Sequence, residues 1–442
     1  MEQLHNFAAA NTMLLNGIIL LIAYIFIVWE KISKVTVALL GAGASLLLSV
    51  FITHGTNVTL GEYYYSFIGQ IFNIIFLLVS MMIVVDISAK SGMYTWVAKE
   101  IVKKTKGHPK IVLFALAFFT AFVSAFLDNV TTVILVMPIT YAVCHMLEIN
   151  PVCFLITEIL ASNIGGTATL IGDPPNIIIG AAANFSFMDF VNNLTLIVTI
   201  CFIISTLILI FLFRKQLKSN PEKMEEIKTI SNKGTITDKP LVIRSCLVLG
   251  FIIAGFVSHD VTHIPAFLIA MIGAGILLIF EDIDKVLEHV EWNTLLFFIG
   301  LFLIIGGVEA SGAITVVADM LMKLTHGSQV ITSMAVLWGS TFVAGIIGNI
   351  PYTTAFTPIV ASIQSTMGHD YVFPIWWALS LGACLGGNLT IIGAAANVIV
   401  SQSAAKKGHI ITFVDFLKYG GLVTIINISI CTVYIYVAYL LH

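Results

Sequence analysis

Apolar residues fall in long runs separated by short polar connections. Eight runs, near residues 13 to 29, 35 to 52, 66 to 88, 190 to 213, 241 to 258, 264 to 280, 292 to 309 and 419 to 440, are each long enough to cross the roughly 30 Å of hydrocarbon in a bilayer as one helix. Two further regions, 152 to 186 and 375 to 405, are apolar but interrupted midway by Gly and Pro, so each reads as one broken span. Two others, 111 to 142 and 329 to 362, are too long for a single span and have a polar centre. They predict hairpins that enter and leave on the same side. Residues 91 to 106 and 311 to 325 are amphipathic and predict helices lying along the membrane face. Residues 215 to 240 are polar, lysine-rich and without periodicity, the pattern of a flexible linker.

Composition narrows the class. Of 442 residues, 58% are hydrophobic and 10% charged, against roughly 25% charged in soluble domains, and the mean hydropathy is +1.01. A water-soluble enzyme and a disordered chain are excluded, and a net charge of −3 offers no attraction to nucleic acid. The six cysteines stand singly in or beside apolar runs, the eleven histidines lie in connecting or terminal segments, and no GxxxxGK[ST] is present. Neither a metal cluster, beyond a transported Na⁺, nor a bound cofactor nor P-loop hydrolysis is indicated. No Ser/His or HExxH constellation lies in the spans, so the chain is not read as an enzyme.

Charge sets the orientation. Eight of the 21 Lys and Arg fall between 214 and 244 and six between 90 and 110. With both clusters inside, Lys31, Lys34, Lys285, Lys406, Lys407 and Lys418 are inside too, and Lys323 alone is outside. The expected protein is multi-pass in the plasma or inner membrane, surrounded by lipid, with both termini outside.

The chain also aligns with itself. At an offset of 220, Ser91-Gly92 matches Ser311-Gly312, Asn129 matches Asn349, and Pro138-Ile139 matches Pro358-Ile359. At 221, residues 165 to 178 match 386 to 399 at seven of fourteen positions, including Gly165-Gly166 with Gly386-Gly387 and Asn176 with Asn397. Phe187 and Asp189 echo Phe413 and Asp415. Each half holds five spans, one of them broken, and a re-entrant hairpin. Five is odd, so the halves have opposite topology, the inverted-repeat design of secondary transporters. The expected fold is an all-α polytopic membrane protein with a first repeat at 1 to 213, a cytoplasmic linker at 214 to 240 and a second repeat at 241 to 442.

Candidate chemistry concentrates where the pattern breaks. Backbone unpaired at membrane depth is tolerated where it is buried in protein or lines a watery cavity. Pro174 prevents residues 165 to 176 from forming one regular helix. The freed carbonyls can coordinate Na⁺, and the half-helix N-termini can face an anion. The candidate substrate-binding residues are Asn129, Thr131, Thr132, Thr167, Thr169, Asn349, Thr353, Thr354, Asn388 and Thr390. The candidate coupling-ion residues are Asp128, Asn129, Gly166, Asp173, Asn176, Asn349, Gly387 and Asn397. Asp128 and Asp173 have Gly348 and Ala394 as their second-half counterparts. An ionised carboxylate near mid-bilayer costs roughly 2.5–3.5 kcal/mol, which argues for a proton or Na⁺ route through the first half. Neutralisation of each acid by a helix N-terminus is the structural alternative, as turn capping is for Asn129 and Asn349. Glu158 and Asp86 are weaker candidates, both placed near span ends. No Lys or Arg lies in these motifs.

The run Ala161-Ser162-Asn163-Ile164-Gly165-Gly166-Thr167-Ala168-Thr169-Leu170-Ile171-Gly172-Asp173-Pro174-Pro175-Asn176, with Leu127-Asp128-Asn129-Val130-Thr131-Thr132-Val133 before it, resembles the arsenite permease and melanosomal P-protein branch of the ion transporter superfamily. Citrate and dicarboxylate transporters are related to that branch. The resemblance covers essentially the whole chain and implies a homodimer working by an elevator movement of a transport domain against a scaffold. In the related sodium-coupled dicarboxylate carriers, Ser-Asn-Thr at the hairpin tips binds Na⁺ and carboxylates. Here the tips read Asp128-Asn129-Val130 and Gly348-Asn349-Ile350, keeping only the Asn. The expected activity is H⁺- or Na⁺-coupled transport of a small inorganic anion or oxyanion such as arsenite. Na⁺/H⁺ exchange, di- or tricarboxylate transport and an ion channel are the alternatives.

Overall fold

A computed structural model describes residues 11–29, 31–53, 60–218, 221–227 and 231–441. The first half begins with α1 (Thr12–Trp29), α2 (Lys34–Thr53) and α3 (Leu60–Lys90), followed by a short α4 (Met93–Lys104). A hairpin of α5 (Pro109–Ser124) and α6 (Asn129–Leu147) leads to the broken pair α7 (Val152–Gly166) and α8 (Pro174–Ala183), and then to α9 (Phe187–Leu212). After α10 (Pro221–Glu226), the second half repeats the order with α11 (Lys239–Val257), α12 (Ala266–Leu278), α13 (Trp292–Ala310) and α14 (Ala313–Leu324). Its hairpin is α15 (Gln329–Ile347) and α16 (Asn349–Met367), its broken pair α17 (His369–Gly386) and α18 (Ala395–Lys406), and its last helix α19 (Phe413–Ile435). The fold is the expected one: all-helical among the described residues, with two five-span repeats, each carrying a broken span and a re-entrant hairpin.

Local chemistry explains where these helices start. The echo of Phe187 and Asp189 in Phe413 and Asp415 is a duplicated capping motif: Ser186 Oγ accepts from Asp189 N at 3.2 Å and Thr412 Oγ1 from Asp415 N at 3.1 Å. Asp189 reaches back to the Ser186 backbone N–H and completes a capping box, whereas Asp415 reaches back to the Thr412 hydroxyl. Among the described residues, eight helices are long and apolar enough to cross a membrane, and the hairpin arms Asn129–Leu147 and Gln329–Ile347 are among them. Length alone therefore does not separate a span from a hairpin arm. What separates them is the polar tip that turns the chain back.

The helices pack as two groups. α1, α2, α3, α11, α12 and α13 pack mainly on one another, and α1, α2 and α13 share an apolar core of their own that includes Ala23, Ile27, Ala38, Leu301 and Ile304. α5 to α9 and α15 to α19 form the second group, in which α15 lies along α17 and α5 along α7.

Two opposite faces follow from the contacts at the helix ends. On one, Lys99 Nζ bonds Thr235 Oγ1 at 2.8 Å, Lys223 pairs with Glu148 at 3.4 Å, and Lys407 lies 3.8 Å over the Tyr141 ring. On the other, Gln329 Nε2 donates to the carbonyls of Asp370 and Tyr371 at 3.0 and 2.9 Å, and Phe185 meets His369 in an edge-on contact. The 26 residues of α9, about 39 Å of helix at 1.5 Å per residue, separate the two. α4 thus lies on the Lys-rich face and α14 on the opposite one, the inverted arrangement of the repeats. The linker is more ordered than its composition predicts: α10 packs against α6, and Ile227 is fully buried. Met1 to Ala10, and with them the predicted position of the N-terminus, lie outside the described residues.

Cysteines placed at the exposed ends of the two short helices test this arrangement. In sealed vesicles of known orientation, Lys104→Cys and Lys323→Cys should react with a membrane-impermeant thiol reagent from opposite sides. Labelling of both from one side would disprove the inversion.

Candidate functional site

The two broken spans meet inside the second helix group, and paired asparagines hold them. Asn176 Nδ2 donates to the Thr167 and Thr169 carbonyls at 3.0 and 2.9 Å, bridging the gap between α7 and α8. Asn397 Nδ2 does the same for α17 and α18, donating to the Gly387 and Thr390 carbonyls at 2.7 and 2.9 Å. Each amide oxygen accepts from the other half: Asn176 Oδ1 from Ser380 Oγ at 2.6 Å, Asn397 Oδ1 from Asn163 Nδ2 at 2.9 Å. Both asparagines are fully buried, so these bonds replace water for backbone that helix geometry leaves unpaired.

Glycines let each hairpin press against its broken span. A Cβ on Gly165 would stand 2.1 Å from the Ala121 carbonyl oxygen, and one on Gly386 2.7 Å from that of Thr341. Threonines then tie the unwound segments to the first hairpin arms: Thr169 Oγ1 donates to the Ala125 carbonyl and Thr390 Oγ1 to the Gly345 carbonyl. The Asn129 amide lies 2.6 Å from Ser124 Oγ. With that amide turned so that its nitrogen faces Ser124, the nitrogen also donates to the Gly172 carbonyl at 3.2 Å.

This packing brings four helix N-termini to one cavity of about 300 Å³, lined by Asp128, Asn129, Asp173, Gly348, Asn349 and Ala394 among others. The acid positions and their second-half counterparts are all N-cap positions: Asp128 for α6, Gly348 for α16, Asp173 for α8 and Ala394 for α18. The two acids nevertheless differ. Asp128 caps its helix, accepting from Thr131 N at 2.9 Å and Thr131 Oγ1 at 2.5 Å. Asp173 makes no capping bond. It is 1% exposed and receives the Asn349 amide of the other hairpin at 3.3 and 3.4 Å. No ion pair among the described residues includes it. In the second half the α16 and α18 termini have no side-chain cap, so their backbone donors face the cavity uncompensated. Exposed Ser33 and Asn293, with Lys34 and Glu291, line the rest of the cavity and open it toward the Lys-rich face.

Of the sequence candidates, Asp128, Asn129, Asp173 and Asn349 line the cavity. Most of the others are engaged in the framework around it. Thr167 Oγ1 donates to the Asn163 carbonyl, Thr353 to Asn349, and Thr354 to Ile350, all at 2.8 or 2.9 Å within their helices. Asn388 Nδ2 donates to the Leu160 carbonyl at 3.2 Å. Thr132 is buried, and its hydroxyl has no partner among the described residues. Gly166 and Gly387 stand against Gly172 and Gly393, where their lack of a side chain permits contact between backbones. Among the unwound carbonyls expected to coordinate Na⁺, those of residues 167, 169, 387 and 390 accept from Asn176 and Asn397. Glu158 is corrected: it lies well inside α7, buried, with Oε1 accepting from Thr140 Oγ1 at 2.5 Å, rather than near a span end. An isolated acid within an apolar run was its available signal. Asn163 and Ser380 gave none, because their partners come from distant parts of the chain.

Residues 24–382 match the family model described as Citrate transporter. The chain belongs to the citrate transporter family. Relatives along nearly the whole length of this membrane transporter include a 46 kDa membrane protein of Mycobacterium leprae, 38% identical over 96% of this chain and 98% of its own. An uncharacterized transporter of Mycobacterium tuberculosis is 39% identical over 95% and 97%. The human P protein is 28% identical over 94% of this chain and 59% of its own, in line with the branch its motifs resemble. Among solved structures, the Alcanivorax borkumensis YdaH transporter shares the fold at a TM-score of 0.58 and 14% identity, covering 94% of this chain and 98% of its own.

The clasp in this transporter can be tested by removing one amide. Asn176→Ala leaves two buried carbonyls and the Ser380 hydroxyl without their partner, at about 1–3 kcal/mol per unsatisfied group. A clear fall in thermal stability in detergent is expected, and an unchanged melting temperature would show that the amide does not hold the break.

Proposed function

We propose that this protein is a proton-coupled secondary transporter of a small anion, with Asp173 as the coupling carboxylate. The observation that carries the reading is the asymmetry at four equivalent N-caps around one cavity. The second half presents uncapped helix N-termini beside Asn349, a neutral donor set suited to an anion. The first half presents Asp173, buried, without a cationic partner and bonded to that same Asn349. An ionised carboxylate and a bound anion repel by about 4 kcal/mol at 4 Å in an effective dielectric of 20. Protonation of Asp173 removes that penalty, so anion and proton bind together. The Asn176 and Asn397 amides already bond four of the unwound carbonyls, which supports H⁺ over Na⁺. Alternating access by movement of the hairpins and broken spans against α1 to α3 and α11 to α13 accounts for the separate packing of the two groups.

The test is flux in proteoliposomes under imposed pH and Na⁺ gradients, with citrate, smaller carboxylates and arsenite as candidate substrates. Asp173→Asn should lose gradient-driven uptake yet retain counterflow, because the amide imitates the protonated acid. Asp128→Asn should stay within about twofold of wild type, since Asn caps a helix as well as Asp does. Pairing of Na⁺ efflux with H⁺ entry and no anion movement would favour Na⁺/H⁺ exchange instead. Normal pH-driven uptake by Asp173→Asn would eliminate the carboxylate as the coupling site.

A further inference from the structure

The two helix groups meet where α13 packs on α16, α3 on α8 and α1 on α15, and buried apolar residues of both groups share one core. Ile350, at the second hairpin tip, rests against the core of α1, α2 and α13. Apolar burial is non-directional, so such a surface gives little preference for one relative position over another. Among the described residues, one side-chain hydrogen bond crosses this boundary. Tyr24, on α1, donates its hydroxyl to the Pro351 carbonyl at 2.5 Å. Pro351 lies two residues beyond Asn349, in the first turn of α16, and lines the cavity. The adjacent Tyr352 bonds Ser340 Oγ at 2.9 Å, inside its own hairpin.

We infer that Tyr24 is a positioning residue, a latch that holds the tip of the second hairpin against α1 in the conformation whose cavity opens to the Lys-rich face. The latch rests on the alternating-access reading above. The bond joins a side chain of one group to the backbone of the other, so it exists only while the hairpin tip is at this level. Sliding the groups past one another must break it. Its contribution therefore falls on one conformation and shifts the equilibrium between them, while Tyr352, bonded within one group, keeps its bond in both.

The experiment uses the full chain in sealed vesicles of known orientation, with Val398→Cys as a reporter in the cavity wall and Cys246, the exposed native thiol, replaced by Ala. Labelling by a membrane-impermeant maleimide from the opposite face reads the conformation that Tyr24 disfavours. Tyr24→Phe should raise that labelling rate about fivefold, the effect of one net hydrogen bond, whereas Tyr352→Phe should leave it unchanged. An unchanged rate in Tyr24→Phe, with the reporter still reached from both faces, would overturn the latch and leave alternating access standing. A reporter reached only from the Lys-rich face in every variant, with substrate candidates present on both sides, would remove alternating access and the latch with it.

Discussion

The structure depends on how two interrupted helices satisfy their own backbone away from water. A break inside a membrane bundle exposes carbonyl and amide groups that no solvent can reach, and each group left unpaired costs several kcal/mol. Asn176 and Asn397 meet that requirement, because one primary amide supplies two donors and an acceptor from a single rigid plane. Both donors go to the local unwound segment and the acceptor goes to the other half. Neither break is therefore complete without its partner, and α7, α8, α17 and α18 are bound into one block. Close glycine contacts at Gly165 and Gly386 seat the hairpins on that block.

A pseudo-symmetric backbone would produce a pseudo-symmetric field, and this protein departs from that at the N-caps. Four helix N-termini face the cavity, and the Asp173 and Ala394 caps share one extended backbone conformation. In the first half Asp128 is absorbed by the cap of α6, which leaves Asp173 as the acid whose geometry local structure does not explain. Gly348 and Ala394 leave the opposite termini open. The duplicated scaffold thus holds two different environments within one cavity, open helix N-termini on one side and a buried carboxylate on the other.

The boundary between the helix groups is built on other terms than the block itself. Inside the block, polar side chains bond one another and the backbone; across the boundary, apolar surfaces meet. That division suits a joint between parts that move, since an apolar surface exchanges one contact for a similar one as it slides, whereas a buried hydrogen bond must be broken outright. One directional bond at such a boundary weighs more than the same bond inside the block, where it is one of many.

Much of this was legible in the order of residues. Hydrocarbon thickness and helix rise set how long an apolar run must be, so spans, broken spans and hairpins could be placed within a few residues. The match of Gly165-Gly166 and Asn176 to Gly386-Gly387 and Asn397, with an odd number of spans between, specified the inversion. Polar residues at breaks and turns pointed to the cavity region, because membrane burial makes such residues costly unless something bonds them. Tertiary structure alone decided which of them face the cavity. A threonine at a break can bond an ion or its own helix, and sequence records the hydroxyl but not its direction: Thr167, Thr353 and Thr354 turned to helix carbonyls. Asp128 and Asp173 look alike in sequence, yet one caps its helix and the other reaches Asn349, 176 residues away. Asn163 with Asn397, and Tyr24 with Pro351, are likewise set by how distant helices cross, a relation that neither hydrophobic period nor internal repeat encodes.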